Sequence, residues 1–474
     1  MQSKQIRNFF SNTLTFAIGG IGTKLISFFL IPLYTHFLNT SEYGTVDVIQ
    51  NLVTAMTPVI SLSIFDAIFR FALDDQLDRN KLFSNGVVVT TLGSGLIIFI
   101  SLILSLVFKV PYSFLFGMML TFSAFSSLFL NFIRGIGKVK IFSLAGIISA
   151  FTGALLNILA LGYFNLGVRG FFASSVLNSI IVLVVLGMWC RLDRYISLKN
   201  VSLLEIKELL LYSVPLIPNA FAWWFTLAAS RYFILFFVGI EATGIFAVAN
   251  KVPSMLSVIF SFFSSAWQIT AVQSRNEKTS EELYSTMFNY SMRLMFIVVF
   301  VMTVCSEKLV GMLMPSEYIG AWKIIPILMV ATLFSNLSAL LGTTYLAFKD
   351  TNMIMITTLI GMALNAVLNL IFVPTLGVEG AGIGSLIGFF VVMLIRVRTT
   401  QKYKAVKLDY ITMLVNLTFF VGFMYALMNY EVNIVWSVLL IVLLGLYNAY
   451  PIIMDFTSWL SVKYISKIGI DEEA

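Results

Sequence analysis

The chain has 474 residues, 59% of them hydrophobic and only 11% charged, with a formal net charge of +7. A soluble globular chain carries about 25% charged residues, so this one cannot cover a water-facing surface. Soluble enzymes, nucleic-acid binders and β-barrels are excluded; with a mean hydropathy of +0.94, the expected fold is an all-α polytopic membrane protein.

A bilayer-spanning helix needs ~20 mostly apolar residues. Apolar runs between polar breaks predict about 14 transmembrane helices, near 11–37, 43–72, 83–108, 112–133, 141–163, 168–189, 209–238, 243–272, 283–305, 321–347, 352–373, 378–397, 409–429 and 433–455. The first run begins at Asn8-Phe9-Phe10 and is too long for a signal-peptide core, so a retained helix is expected. Near its middle stands Lys24, on a stripe of Asn12, Thr15, Gly19, Thr23 and Ser27 spaced three or four apart. The second span carries Asp47, Asp66 and Arg70 and is interrupted by Pro58. Asp66 and Arg70 have the i,i+4 spacing of a helix ion pair. The seventh span shows a comparable stripe, Asn219, Ala222, Thr226 and Ser230, ending beside Arg231, with Pro215 and Pro218 at its start. Lys251 and Pro253 follow in the eighth span, Arg293 in the ninth, and Lys323 stands at the start of the tenth.

Charged groups inside a span are costly and normally face a cavity or a partner. Lys24, Arg70, Arg231 and Lys251 outnumber Asp47 and Asp66, so a cavity of positive sign is expected. Such a cavity suits an anionic, phosphate-bearing amphiphile. Asp47, Asp66 and Arg293 are candidates for gating or ion coupling, and Pro58, Pro215, Pro218 and Pro253 for hinges.

Loop charge gives the orientation. With the N-terminus inside, the inside segments hold 21 Lys and Arg, including Arg134, Lys138, Lys140 and the cluster from Arg396 to Lys407; the outside loops hold Lys109, Arg169 and Lys308. Both termini are therefore expected in the cytoplasm. The one histidine, His36, excludes His-rich metal sites, and Cys190 and Cys305 fall at opposite ends of their spans, so no disulfide is expected. Gly135-Ile136-Gly137-Lys138 lacks the first glycine and the Ser/Thr of a phosphate loop.

The chain also repeats itself. Leu166-Gly167-Val168-Arg169-Gly170 recurs as Leu376-Gly377-Val378-Glu379-Gly380, Leu156-Asn157 as Leu368-Asn369, and Glu42-Tyr43-Gly44 as Ala242-Thr243-Gly244. The small residues Gly170 and Ser174 with Asn178, and Gly380, Gly384 and Gly388, form ridges at four-residue spacing. The expected organisation is two six-helix lobes, 1–198 and 199–400, related by a pseudo-two-fold along the membrane normal, and 401–474 holding two further helices and a tail.

These stretches, with Ile26-Ser27-Phe28 through Pro32-Leu33, Phe69-Arg70-Phe71, Arg231-Tyr232-Phe233, Asn250-Lys251-Val252-Pro253 and Ala266-Trp267, resemble the Wzx-type oligosaccharide flippases of the polysaccharide-transport family. Their superfamily includes the multidrug/oligosaccharidyl-lipid exporters. The resemblance implies a flippase, not an enzyme, that moves undecaprenyl-pyrophosphate-linked glycan units across the bacterial inner membrane for O-antigen, capsule or exopolysaccharide synthesis. It implies a lipid bilayer and glycan polymerase or chain-length proteins as partners, no nucleic acid, and no cofactor beyond a coupling H+ or Na+. Such sequences often place an acid before the seventh-span arginine, where this chain has Ser230. Two rivals stay open: a cation-coupled multidrug exporter of the same fold, and a membrane glycan polymerase or ligase, for which the outside loop at 306–320 looks too small.

Overall fold

A computed structural model describes residues 26, 29–73, 78–274, 280–348, 350–429 and 434–468. Among them there is no β-strand, and eleven helices are long and apolar enough to cross a membrane, or twelve when one bent pair counts as a span. The protein is an all-α polytopic membrane protein. Of the first expected span, the described part is its end, α1 (Ile31–Phe37); Lys24 and its polar stripe lie outside the described residues.

The chain packs as two compact units: residues 1–251 with 313–318, and 252–312 with 319–474. The packing units part within the eighth apolar segment, not near 198, where the sequence repeat is expected to divide the lobes.

In the first unit the second expected span is two helices, α2 (Thr40–Ile60) and α3 (Ile64–Ala72), bent by 63°. Asn39 and Glu42 form a reciprocal capping box that starts α2. Pro58 has no N–H for the Thr54 carbonyl, and about one turn later Leu62 and Ser63 take left-handed backbone (φ 52° and 50°) that completes the break. Next come α4 (Arg79–Leu106), α5 (Ser113–Gly135), α6 (Val139–Asn157) and α7 (Gly167–Cys190). Their inner faces meet around Phe83, Leu128, Phe132 and Leu186, with the Phe83 and Phe132 rings stacked at 4.3 Å. The seventh span is α8 (Leu203–Ser213) and α9 (Leu216–Phe237), and the eighth begins with α10 (Ile240–Ala249).

The sequence echo around Gly44 and Gly244 is a physical contact. A Cβ on Gly44 would fall 2.2 Å from the Ile240 oxygen, and one on Gly244 would fall 1.9 Å from the Thr40 oxygen. The contact is reciprocal under a shift of 200 residues (40 with 244, 240 with 44), the pattern of a local two-fold crossing. In lipid, where burial of apolar surface does little to join helices, such close backbone approach is a main source of association.

The eighth span continues as α11 (Lys251–Ser274), followed by α12 (Ser280–Leu313), α13 (Ala321–Ala347), α14 (Thr351–Thr400), α15 (Tyr410–Asn429) and α16 (Ile434–Ile468). Gly377 interrupts α14 with φ 62° and ψ −135°, so α14 holds both the eleventh and twelfth expected spans. Its counterpart Gly167 also has positive φ (55°); a Cβ on the following Gly170 would meet the Leu166 side chain at 2.5 Å, and one on Gly380 the Phe372 carbonyl at 2.1 Å. Both copies of the repeated motif therefore place a glycine at positive φ.

One expected loop charge is in fact buried. Arg396 lies inside α14, 6% exposed, with Nε donating to Thr357 Oγ1 (3.0 Å), Nη1 to the Ser338 carbonyl (2.9 Å) and Nη2 to Thr358 Oγ1 (3.2 Å). Gly342 leaves room for it, since a Cβ there would sit 3.1 Å from Nη1. In the same unit the amides of Asn416 on α15 and Asn448 on α16 bond reciprocally at 3.0 and 2.8 Å.

Candidate functional site

The site is built on α2. Asp47 faces inward, 6% exposed, and Arg231 of α9 donates Nε to its Oδ2 at 2.7 Å. Two further bonds seat α9 on α2: Trp224 Nε1 donates to the Asn51 carbonyl at 2.9 Å, and the Tyr232 hydroxyl to the Val48 carbonyl at 3.4 Å. The Arg231 guanidinium lies 5.9 Å from the Phe246 ring centroid of α10. A buried ion pair contributes little net stability, but removing one partner strands a charge. The pair therefore ties α2 to α9.

Beside the pair opens a cavity of about 840 Å³, lined by α2, α5, α6 and α7 together with Arg231 and Lys251. This lies within the roughly 300–1,000 Å³ typical of ligand pockets. Its wall is mostly neutral and polar: Gln50, Asn51 and Thr54 on α2, Ser123, Ser126 and Ser127 on α5, Ser149 on α6, and Ser175 and Ser179 on α7. The Ser175 and Ser179 hydroxyls donate to the Phe171 and Ser175 carbonyls one turn back. Such back-bonding satisfies the hydroxyl proton and leaves oxygen lone pairs for other donors. Among the described residues the charged lining groups are Asp47, Arg231 and Lys251, a net charge of +1.

The sequence profile of the family described as "Polysaccharide biosynthesis protein" matches residues 9–268, which include every residue lining this cavity. The chain belongs to this family of polysaccharide biosynthesis proteins. It is 22% identical over 253 residues to the probable low-salt glycan biosynthesis flippase Agl15 of Haloferax volcanii, a match spanning 52% of this chain and 54% of that protein. The chain thus aligns with about half the length of this curated relative. In fold it is similar to the inward-facing conformation of a multidrug resistance MATE family transporter of the MOP superfamily (TM-score 0.62, 13% identity, 82% of this chain and 94% of that one). It is also similar to a MOP superfamily transporter from Pyrococcus furiosus whose binding pocket is described as having reverse polarity (TM-score 0.59, 15% identity, 82% and 95%). The chain therefore shares the fold of these two structures.

The structure brings together three of the expected residues, Asp47, Arg231 and Lys251, in one cavity wall. Arg231 was expected as an excess cation, and Asp47 neutralises it. The acid absent at Ser230 is thus supplied from another helix. Arg70 is exposed at the end of α3 and does not line the cavity. Among the described residues Asp66 and Arg70 form no ion pair; the nearby Arg134 places its guanidinium 3.8 Å over the Phe69 ring. Arg293 belongs to the second unit, bonded through Nη2 to Asp409 Oδ2 (2.6 Å) and Thr412 Oγ1 (2.7 Å) and through Nη1 to the Tyr447 carbonyl (3.3 Å). Of the seventh-span stripe, Thr226 bonds back to the Ala222 carbonyl at 2.9 Å, and the adjacent Arg231 lines the cavity. Pro215 caps α9 and Pro218 sits in its first turn, while Pro253 is in the first turn of α11, all positions where a missing N–H is harmless. Sequence reasoning missed the serine wall, although Ser123 with Ser126 and Ser127, and Ser175 with Ser179, carry the three- and four-residue spacing of a polar stripe.

Proposed function

We propose that this chain is a flippase that carries glycan repeat units linked to undecaprenyl pyrophosphate from the cytoplasmic to the periplasmic leaflet of a bacterial inner membrane. The observation that carries the reading is the cavity of about 840 Å³, rich in hydroxyl and amide groups and holding a net charge of +1. A glycan offers many hydroxyls to such a wall, and a diphosphate favours its positive sign. Lys251 and Lys24 serve the diphosphate, Arg231 presents a guanidinium already oriented by Asp47, and Arg70 meets the headgroup on the cytoplasmic side. Alternating access needs no covalent chemistry, so the cavity residues bind and release. A H+ or Na+ gradient drives it, with Asp47, Asp66 and Arg293 as coupling or gating positions and Pro58 at the bent junction of α2 and α3. The products feed O-antigen, capsule or exopolysaccharide assembly, in company with polymerase and chain-length proteins.

The MATE-type fold also supports a multidrug exporter, but the acid in this cavity, Asp47, is held by Arg231. The deciding experiment is complementation of a deletion strain. Lys251→Glu and Lys24→Glu are expected to abolish surface glycan and accumulate lipid-linked units on the inner leaflet, with membrane protein levels unchanged; Lys251→Arg is expected to restore export. Normal export in both reversed variants, or loss of drug tolerance without loss of glycan in the deletion strain, would refute the reading.

A further inference from the structure

Beside the main cavity is a smaller annex of about 160 Å³, lined by Tyr34, Tyr43, Val46 and Phe171 and, at its junction with the cavity, by Asp47, Gln50 and Lys251. Its walls differ in kind from the serine wall. Tyr34 of α1 stands edge-on to Phe171 of α7 at 5.3 Å and tilted to Tyr43 of α2 at 6.5 Å, so three helices present an aromatic corner. Tyr43 and Phe171 are packed on most sides, each 4% exposed. Behind them, Asn157 Nδ2 donates to the Tyr34 hydroxyl at 3.2 Å, and the Tyr318 hydroxyl donates to the Leu38 carbonyl at 2.8 Å with its ring edge-on to Tyr43.

The volume is that of roughly five waters at ~30 Å³ each, which is the space of one pyranose ring. A pyranose has an apolar C–H face, which aromatic rings cover, and an equatorial rim of hydroxyls, which amide and charged groups at the edge receive. The annex supplies both: aromatic rings, and the Asp47, Gln50 and Lys251 side chains that it shares with the main cavity.

We propose that the annex is a sugar-reading subsite: it seats one pyranose ring of the glycan against Tyr34, Tyr43 and Phe171, while Asp47, Gln50 and Lys251 read its hydroxyl rim. This rests on the flippase reading above and goes beyond it by locating where selectivity for the sugar arises. A site that bonds particular hydroxyls discriminates sharply against sugars lacking them, because its buried groups are then left unpaired.

The test uses the full chain in nanodiscs and synthetic farnesyl pyrophosphate probes, one without sugar and a panel each bearing one sugar: N-acetylglucosamine, galactose, rhamnose or glucuronate. Wild-type protein is expected to bind at least one sugar-bearing probe tenfold or more tighter than the sugar-free probe. Tyr34→Leu and Phe171→Leu, which keep apolar volume and remove the ring, are expected to erase that difference while leaving affinity for the sugar-free probe within twofold. Gln50→Leu is expected to change the ranking within the panel. Equal weakening of all probes by the leucine variants, or a wild-type protein that ranks no sugar above the sugar-free probe, would overturn the subsite while leaving the flippase reading intact. Failure of every probe to bind would overturn both.

Discussion

The crossing of α2 and α10 offers the sharpest mechanical test. In Gly44→Ala the new Cβ would meet the Ile240 oxygen at 2.2 Å and the Gly244 nitrogen at 2.9 Å; in Gly244→Ala it would meet the Thr40 oxygen at 1.9 Å. All three atoms are backbone, so no side chain can rotate away. Ordinary contact begins at 3.4 Å, and the helices must separate by more than an ångström to reach it. Overpacking of this kind costs typically 1–3 kcal/mol, and the absence of a flexible neighbour places each variant near the top, about 2–3 kcal/mol. The double variant is expected to cost much less than the sum, because one separation relieves both clashes. Gly422→Ala and Gly445→Ala provide the comparison: both glycines are helical, and nothing lies within 4 Å of an added Cβ. Heat-induced loss of the folded, detergent-solubilised protein, followed by tryptophan fluorescence and size exclusion, reads all five. Should Gly44→Ala prove as harmless as Gly422→Ala, or the two crossing variants add fully, the close approach is not what joins these helices.

Three more outcomes follow from buried charge. Asp47→Asn or Arg231→Gln alone is expected to destabilise by about 3–5 kcal/mol, the usual cost of stranding one member of a buried pair; the double variant should recover most of the loss, and the same melts read it. At Asp409, burial works to raise the carboxyl, but hydrogen bonds from Thr412 and Arg293 more than reverse this and hold it below the ordinary carboxylate value. Its stabilising effect is therefore fully present above the unfolded carboxylate pKa of ~3.9 and is lost as pH falls through the folded value. The melting temperature of Asp409→Asn should accordingly vary less than wild type between pH 5 and about pH 3. Thr357→Val removes the acceptor of Arg396 Nε in the interior and is expected to cost about 1–3 kcal/mol, whereas Thr375→Val, at an exposed hydroxyl, should be nearly silent.

What the sequence discloses depends on whether the information is local. Span positions, the Gly167 and Gly377 turns and the polar character of the second span are written in consecutive residues, and they emerge from hydropathy and spacing. The echo of Gly44 and Gly244 is equally visible, but as similarity; nothing in it says that the two copies touch. Arg231 illustrates the opposite limit. Its charge is conspicuous in an apolar run, yet its partner is 184 residues away, and no periodicity links them. Counting charges treats both as independent contributors to a cavity, while the folded chain sets one against the other in the wall that Lys251 also lines. Arg396 misleads for a related reason: close to the expected end of a span, it reads as loop charge, and only the paired helices α13 and α14 supply the hydroxyls and carbonyl that make burial tolerable. The serine wall shows a third limit, since small polar residues at helical spacing equally describe helix packing and a solvated surface. Gly170 and Ser174 belong to the first kind, with the Ser174 hydroxyl donating to the Leu156 carbonyl at 3.1 Å, while Ser175, one residue on, faces the cavity. A rotation of 100° along one helix separates a packing ridge from a binding wall, and that angle is decided by which helices lie on either side.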